Sequence, residues 1–359
     1  MADRVWQRTR PLWLPLVIVV LGVLMLTWAI GAPQAPAPSS TSGSLLSPVT
    51  TPRQTVNPNA TPSSEATPTS EAAPTASPSP APNPAPNPVP NPAPPATATR
   101  IWQPRPGTSW QWQITGTVDT SLAVKMYDID LFDAQATASS YTVPGFGTVS
   151  VSQGPNAGVI SRLHAGGEVV ICYMDTGAWE QYRPDAALFP RSVIGNSTGW
   201  KVENWMDTRQ ASWSKFEPLI TARMDLAKRS GCDGVEGDQN NSWGNNPGFP
   251  ISLADQEAWY LEVARQLHAR GLSAGQKNGI ESTDATTVAA FDWDLNEQCN
   301  HYSECSALNL YIRAGKAVFQ VEYTEDGETT AVFCPQDNQA NIDGLLKNLA
   351  LGSWRQACR

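Results

Sequence analysis

The sequence predicts a (β/α)8 TIM-like barrel over residues 101–359, on three observations. From Ile101 onward, short β-rich runs alternate with helical patterns. Several of these runs are continuously apolar, as in strands covered on both faces. Eight such strand–helix repeats in about 255 residues is the size of a barrel of this kind. An open doubly wound sheet is the competing architecture, but no Gly-rich phosphate fingerprint follows any of the strands.

The strands are expected at Ser109–Thr115, Val124–Leu131, Glu168–Met174, Gly234–Asp238, Ser273–Lys277, Phe291–Gln298, Lys316–Tyr323 and Thr329–Cys334. Between them, Val159, Ile160 and Leu163 form one helical stripe, stopped by Gly166-Gly167. Phe216, Leu219, Ile220, Met224 and Ala227 form another, stopped by Gly231. Ser252 and Asp255 make a capping-box pattern ahead of Tyr260, Val263, Ala264 and Leu267, with Gly271 as the stop. Ile342, Leu345, Leu346 and Leu349 predict a last helix.

Two segments precede the barrel. Leu12 to Ile30 carries no charge, and Arg4, Arg8 and Arg10 come before it. Residues 1–31 therefore read as a short cytoplasmic tail with a membrane-spanning signal anchor, or as a cleaved signal peptide. Residues 32–100 are almost entirely Pro, Ala, Ser, Thr and Asn. That composition cannot bury enough apolar surface to fold, and it predicts a disordered, extended stalk. Both readings of the first segment export the barrel, as a secreted protein or one anchored to the outer side of the cell membrane.

Charge narrows the partners. Five of the 24 Lys and Arg and three of the 33 Asp and Glu precede residue 101, so 19 bases and 30 acids remain, a net of −11. Nucleic acid requires a basic face and is not an expected partner; a neutral or cationic ligand fits better. All six cysteines (Cys172, Cys232, Cys299, Cys305, Cys334 and Cys358) follow the stalk, which in an exported domain suggests disulfides. Cys299 and Cys305 flank one short loop and are the expected pair; the other pairings stay open. No CxxC is present, and His164, His268 and His301 lack ligand-like spacing, so neither a metal nor a cofactor is expected. The barrel is expected to act as a monomer.

In a barrel, the C-terminal ends of the strands converge on one site. The second expected strand runs out in Asp128 and Asp130, and the third in Tyr173 and Asp175. The fourth ends in Glu236 and Asp238, the fifth in Lys277 and Asn278, the sixth in Glu297 and the seventh in Glu322. A single acid after a strand is commonly a turn former or helix cap. Converging acids repel one another unless a ligand or a task retains them. The tasks are metal binding, or acid/base and nucleophilic chemistry on a glycosidic bond. Trp110, Trp112, Trp179, Trp200, Trp205, Trp213 and Trp243 near the strand ends could stack on sugar rings, with core packing as the alternative for each.

Eight ordered blocks carry a resemblance across this domain: YDIDLFD (127–133), VVICYMDTGAWEQYRPDAALFP (169–190), WMDTR (205–209), RMDLAKRSGCDGVEGDQN (223–240), GFPIS (248–252), GLSAGQKN (271–278), FDWDLNEQC (291–299) and GKAVFQVEY (315–323). They resemble glycoside hydrolase family 114, the endo-α-1,4-polygalactosaminidases. The resemblance implies a (β/α)8 barrel that cleaves α-1,4-linked galactosamine polymers within the chain. It implies catalytic acids at Asp238 and Glu297. By analogy with retaining α-glycosidase barrels, Asp238 is assigned as nucleophile and Glu297 as acid/base; the reverse assignment, and inversion, are the alternatives.

Asp128, Asp130, Tyr173, Asp175, Glu236, Lys277, Asn278 and Glu322 are then expected to bind substrate, the acids by pairing with the cationic amino groups of the sugar. The family often has Pro between its two strand-four acids. This chain has Gly237, which is expected to loosen the turn. An inactive carbohydrate-binding barrel and a metal-dependent hydrolase are the competing functions.

Overall fold

The structure, a computed structural model, describes residues 101–359. The expected membrane segment (1–31) and stalk (32–100) lie outside the described residues, among which no helix is long and apolar enough to cross a membrane. Eight parallel strands follow one another in a single curled sheet that fits a TIM-like barrel. They are β1 (Trp110–Gln113), β2 (Met126–Asp130), β3 (Val169–Asp175), β4 (Gly234–Asp238), β5 (Ser273–Lys277), β6 (Trp293–Glu297), β7 (Val318–Tyr323) and β8 (Asp343–Lys347). A short strand, Gln356–Ala357, runs antiparallel along β8. Side chains tie the β1 and β8 edges together. Trp110 Nε1 donates to the Asp343 carbonyl at 2.9 Å, and Lys347 Nζ to Gln111 Oε1 at 3.2 Å.

Alternation along the strands sorts the side chains into two layers. Trp110, Trp112, Met126, Ile171, Trp293, Leu295, Phe319, Val321, Tyr323 and Leu345 fill the inside of the sheet. A larger cluster packs the outside against the helices α1 (Val159–Gly166), α2 (Glu217–Ser230), α3 (Leu253–Ala269), α4 (Ala285–Ala290), α5 (Asn309–Arg313) and α6 (Thr330–Ala340). The predicted helix signals are used. Gly167 and Gly231 take left-handed φ of 89° and 94° to close α1 and α2. Ser252 and Asp255 form the reciprocal capping box that starts α3.

The last unit corrects the sequence reading. The strand expected at Thr329–Cys334 is part of α6, and the helix expected around Ile342–Leu349 is the strand β8. Only residues 324–328 separate β7 from Thr329, too few for a parallel crossover, which needs a dozen or more. The chain must therefore use the Val332–Cys334 run as helix, with Phe333 packed on Leu346.

Two insertions lie outside the strands expected from the sequence. A hairpin of Ser139–Val143 and Gly147–Val151 follows β2, and a three-stranded sheet of Ala178–Glu180, Ile194–Ser197 and Glu203–Met206 follows β3. Both extend the loops at the C-terminal ends of the strands. Cys299 pairs with Cys305 as expected, Cys172 on β3 with Cys232 just before β4, and Cys334 on α6 with Cys358. Three disulfides suit an oxidising compartment.

Candidate active site

Residues two apart on a strand share a face, so Asp128 and Asp130, Tyr173 and Asp175, and Glu236 and Asp238 all point inward, as do Lys277, Glu297 and Tyr323. Lys277 is at their centre. Its Nζ lies 3.0 Å from Asp238 Oδ1, 3.2 Å from Glu297 Oε2 and 3.1 Å from Glu236 Oε1. Its fourth side faces the Trp112 ring, whose centroid is 4.8 Å away. Burial alone would lower the Lys277 pKa, but Asp238, Glu297 and Glu236 outweigh it and raise the value well above the ordinary one.

Further donors orient the two expected catalytic acids. Tyr173 donates its hydroxyl to Asp238 Oδ2 at 3.1 Å, and the Gln239 N–H donates to Asp238 Oδ1 at 2.6 Å. Asn278 clamps Glu297 twice, donating from Nδ2 to Oε2 at 2.9 Å and accepting the Glu297 N–H at 2.9 Å. The Tyr323 hydroxyl donates to Glu297 Oε1. The backbone supports this arrangement. Gln239, Asn278 and Gln298, the residues immediately after Asp238, Lys277 and Glu297, all adopt left-handed φ of 59°, 51° and 65°. Three adjacent strands thus leave the sheet through the same kink, at about 1–3 kcal/mol of strain for each such residue.

The other predicted residues divide by depth. Asp128 and Glu236 lie beneath the pair, where Glu236 Oε2 accepts from Trp112 Nε1 at 2.9 Å. Burial and the neighbouring Glu236 push Asp128 well up; burial raises Glu236 to about 7 against the pull of Lys277. Asp175 is also buried and raised, by burial first and then by Glu180 and Glu203. Asp130 stands on the wall in an ion pair with Arg183 at 2.7 Å. A cavity of about 570 Å³ opens beside Asp238, lined by Trp112, Asp130, Tyr173, Trp200 and Glu203 among others.

Glu322 is placed elsewhere. On β7 it alternates with Tyr323 and turns outward, accepting the Asn300 and His301 N–H groups at 2.9 and 3.4 Å. It braces the loop after Glu297 instead of facing the cavity. Tyr323, which the sequence reading passed over, has the inward position; it continues the Phe319–Val321 alternation. Gly237 also has a local reason: a Cβ there would lie 2.8 Å from Thr176 Oγ1, which bonds Asn240 Oδ1 at 2.9 Å. Of the tryptophans, Trp110 is core, Trp112 is buried at the floor of the cavity, and Trp243 is exposed. Among the described residues, no group of three or more His, Cys, Asp and Glu is arranged to hold a metal ion.

The buried carboxyls give stability an unusual pH dependence. Burial lifts Glu322 to about 7 from an ordinary 4.5, and Asp337 to about 6 from 3.8. Between about pH 5 and pH 7 the folded chain therefore holds protons that the unfolded chain has released, and stability falls as pH rises. Lys347 acts oppositely: burial lowers it to about 7 from 10.5, so stability recovers above neutrality. The urea midpoint should be lower near about pH 7 than near about pH 5 or about pH 9. A midpoint that peaks at neutrality would contradict these assignments.

The profile of glycoside-hydrolase family GH114 matches residues 91–359. A crystal structure of Aspergillus fumigatus Ega3 in complex with galactosamine is similar, with 30% identity, a TM-score of 0.61, and coverage of 72% of this chain and 98% of that chain. The glycoside hydrolase domain of PelA from Pseudomonas aeruginosa aligns with 12% identity and a TM-score of 0.47, over 68% of this chain and 95% of that one. No curated protein matches the chain by sequence.

Proposed function

The chain belongs to glycoside hydrolase family GH114, and we propose that this glycosidase is exported and cleaves α-1,4-linked galactosamine polymers within the chain, with Asp238 as nucleophile and Glu297 as acid/base. The observation that supports the pair is their common cation. Ion-pair distances of 3.0 and 3.2 Å to one ammonium, taken at an ideal tetrahedral angle, correspond to Asp238 and Glu297 oxygens about 5 Å apart. Retaining glycosidases separate their carboxyls by about 5–5.5 Å and inverting ones by about 6.5–9.5 Å, so this spacing favours retention.

In the first step Asp238 attacks the anomeric carbon while Glu297 gives its proton to the leaving glycosidic oxygen. The product is a glycosyl ester on Asp238. Glu297, now a carboxylate, takes a proton from water, whose oxygen displaces Asp238 and restores both groups. The similarity to Ega3, whose structure contains galactosamine, supports the sugar. The net acidity of the domain supports an unacetylated, cationic polymer, and Glu203 lines the cavity beside the Asp130–Arg183 pair. Residues 1–31 and 32–100 are read as anchor or signal and as stalk, holding the enzyme outside the cell.

Galactosamine oligomers of defined acetylation test this reading. Deacetylated chains should be shortened internally, and the first-released reducing ends should keep the α configuration by NMR. Preference for the fully acetylated polymer would remove the electrostatic argument, and a β product would exclude retention.

A further inference from the structure

We infer that Lys277 is the positioning residue of this reaction, and that Asp128 and Glu236 beneath it share one proton so that the ammonium serves Asp238 and Glu297. This rests on the reading of Asp238 and Glu297 as the reacting pair, and it gives Lys277, Asp128 and Glu236 a task other than binding sugar.

Access argues first. Lys277 has no exposed side-chain surface, and Asp128 and Glu236 have none. The ammonium donates to Asp238 Oδ1 at 3.0 Å and lies within ion-pair distance of Glu236 Oε1 and Glu297 Oε2, at 3.1 and 3.2 Å, and the Trp112 ring on β1 closes the remaining side. A sugar in the cavity cannot reach Lys277 without displacing one of these groups. What Lys277 can do is hold the two reacting carboxyls at one spacing, since both pair with the same ammonium.

Charge argues second. Asp128 from β2, Glu236 and Asp238 from β4, and Glu297 from β6 surround a single cation. Tyr323 on β7 faces Lys277, Tyr173 and Asp175 on β3 face Asp238, and Asp294 on β6 feels Lys277 from the other side of the sheet. Arg183 reaches Asp175 from the loop after β3 and does not bond Lys277's carboxyls. Four ionised carboxyls would leave three uncompensated negative charges around one ammonium, and two of the four, Asp128 and Glu236, have no exposed surface, a heavy desolvation cost.

Asp128 shows where a proton resolves this. Neither of its oxygens meets an N–H or hydroxyl donor among the described residues. A carboxylate there would be unsolvated, whereas a neutral carboxyl donates to the adjacent Glu236. Glu236 Oε2 accepts from Trp112, and its Oε1, paired with Lys277 at 3.1 Å, meets no hydrogen-bond donor, which suits it to accept the Asp128 proton. The upward shift of Asp128, caused by burial and then by Glu236, agrees.

The test has two arms. Lys277→Met should lower kcat on a deacetylated α-1,4-galactosamine oligomer by about 100-fold, the order expected for misplaced reacting groups, with KM changed by less than about threefold. A rise in KM with kcat preserved would make Lys277 a substrate contact and overturn the inference. The second arm needs no turnover and uses a nearly isosteric change. The infrared difference at about pH 8 between wild type and Asp128→Asn should show the loss of one protonated-carboxyl C=O band, because an ordinary aspartate is ionised there. A difference spectrum without that band overturns the shared proton, and it decides the matter even if Lys277→Met does not fold. Wild-type inactivity on every galactosamine polymer would instead count against the proposed function, leaving the infrared result to be read on its own.

Discussion

Glu297→Gln should reduce kcat on galactosamine oligomers by about 10²–10⁴-fold, the usual contribution of a positioned acid/base. The amide keeps an oxygen for Lys277 and Asn278 but has no proton to give the leaving sugar. Asp238→Asn should be at least as severe, because the amide is a poor nucleophile and the covalent route closes. Both variants should still bind the oligomer. An aryl leaving group that departs without protonation separates the two roles. With an aryl α-galactosaminide, Glu297→Gln should still form the glycosyl–enzyme ester and release a burst of phenol, whereas Asp238→Asn should release none. A burst from Asp238→Asn and none from Glu297→Gln would exchange the assignments. Equal activity of both variants with wild type would mean that the chemistry lies elsewhere.

The parts of the molecule that were legible in the sequence are those dictated by local rules. Gly167, Gly231 and the Ser252–Asp255 box end or start helices through backbone requirements that neighbouring residues satisfy, so their positions could be read directly. The strand-end acids other than Glu322 could be read because the parallel architecture alone brings them to one face. What could not be read depends on tertiary context. Thr329–Cys334 has the composition of a strand but lies too close to β7 to be one, and Leu345–Leu346 becomes β8 because the sheet needs its eighth member. Counting in twos from Phe319 gives the inward position on β7 to Tyr323 and turns Glu322 toward the Asn300 and His301 N–H groups. Depth was the least accessible feature. Lys277 and Glu236 read like cavity residues from their strand-end positions, yet both are fully buried against Asp238.

The same limit hid the most consequential ion pairs. Arg223 sits in α2 on a stripe that looks apolar, and it is fully buried. Its guanidinium grips Asp185 with two bonds of 2.8 Å, donates to the Asp175 carbonyl at 3.2 Å and approaches Glu180 Oε2 at 3.5 Å. Glu180 in turn bonds Arg183, which pairs with Asp130 on the cavity wall. One helix residue thus fixes the insertion after β3 against the end of β2. Arg223→Met preserves much of the volume but strands Asp185 without its cation. Breaking a buried pair in this way costs about 3–5 kcal/mol, a large share of the about 5–15 kcal/mol that holds a domain folded. The urea midpoint should fall accordingly with an unchanged slope, because the variant still unfolds from a compact state. Turnover should fall as well, since Arg183 and Tyr182 line the cavity and move with this loop. The double variant Arg223→Met with Asp185→Leu should recover most of the stability, because removing both partners leaves no orphaned charge. A single variant within about 1 kcal/mol of wild type would show that water or a neighbouring cation already supports Asp185, and that the network does not set the position of the cavity wall.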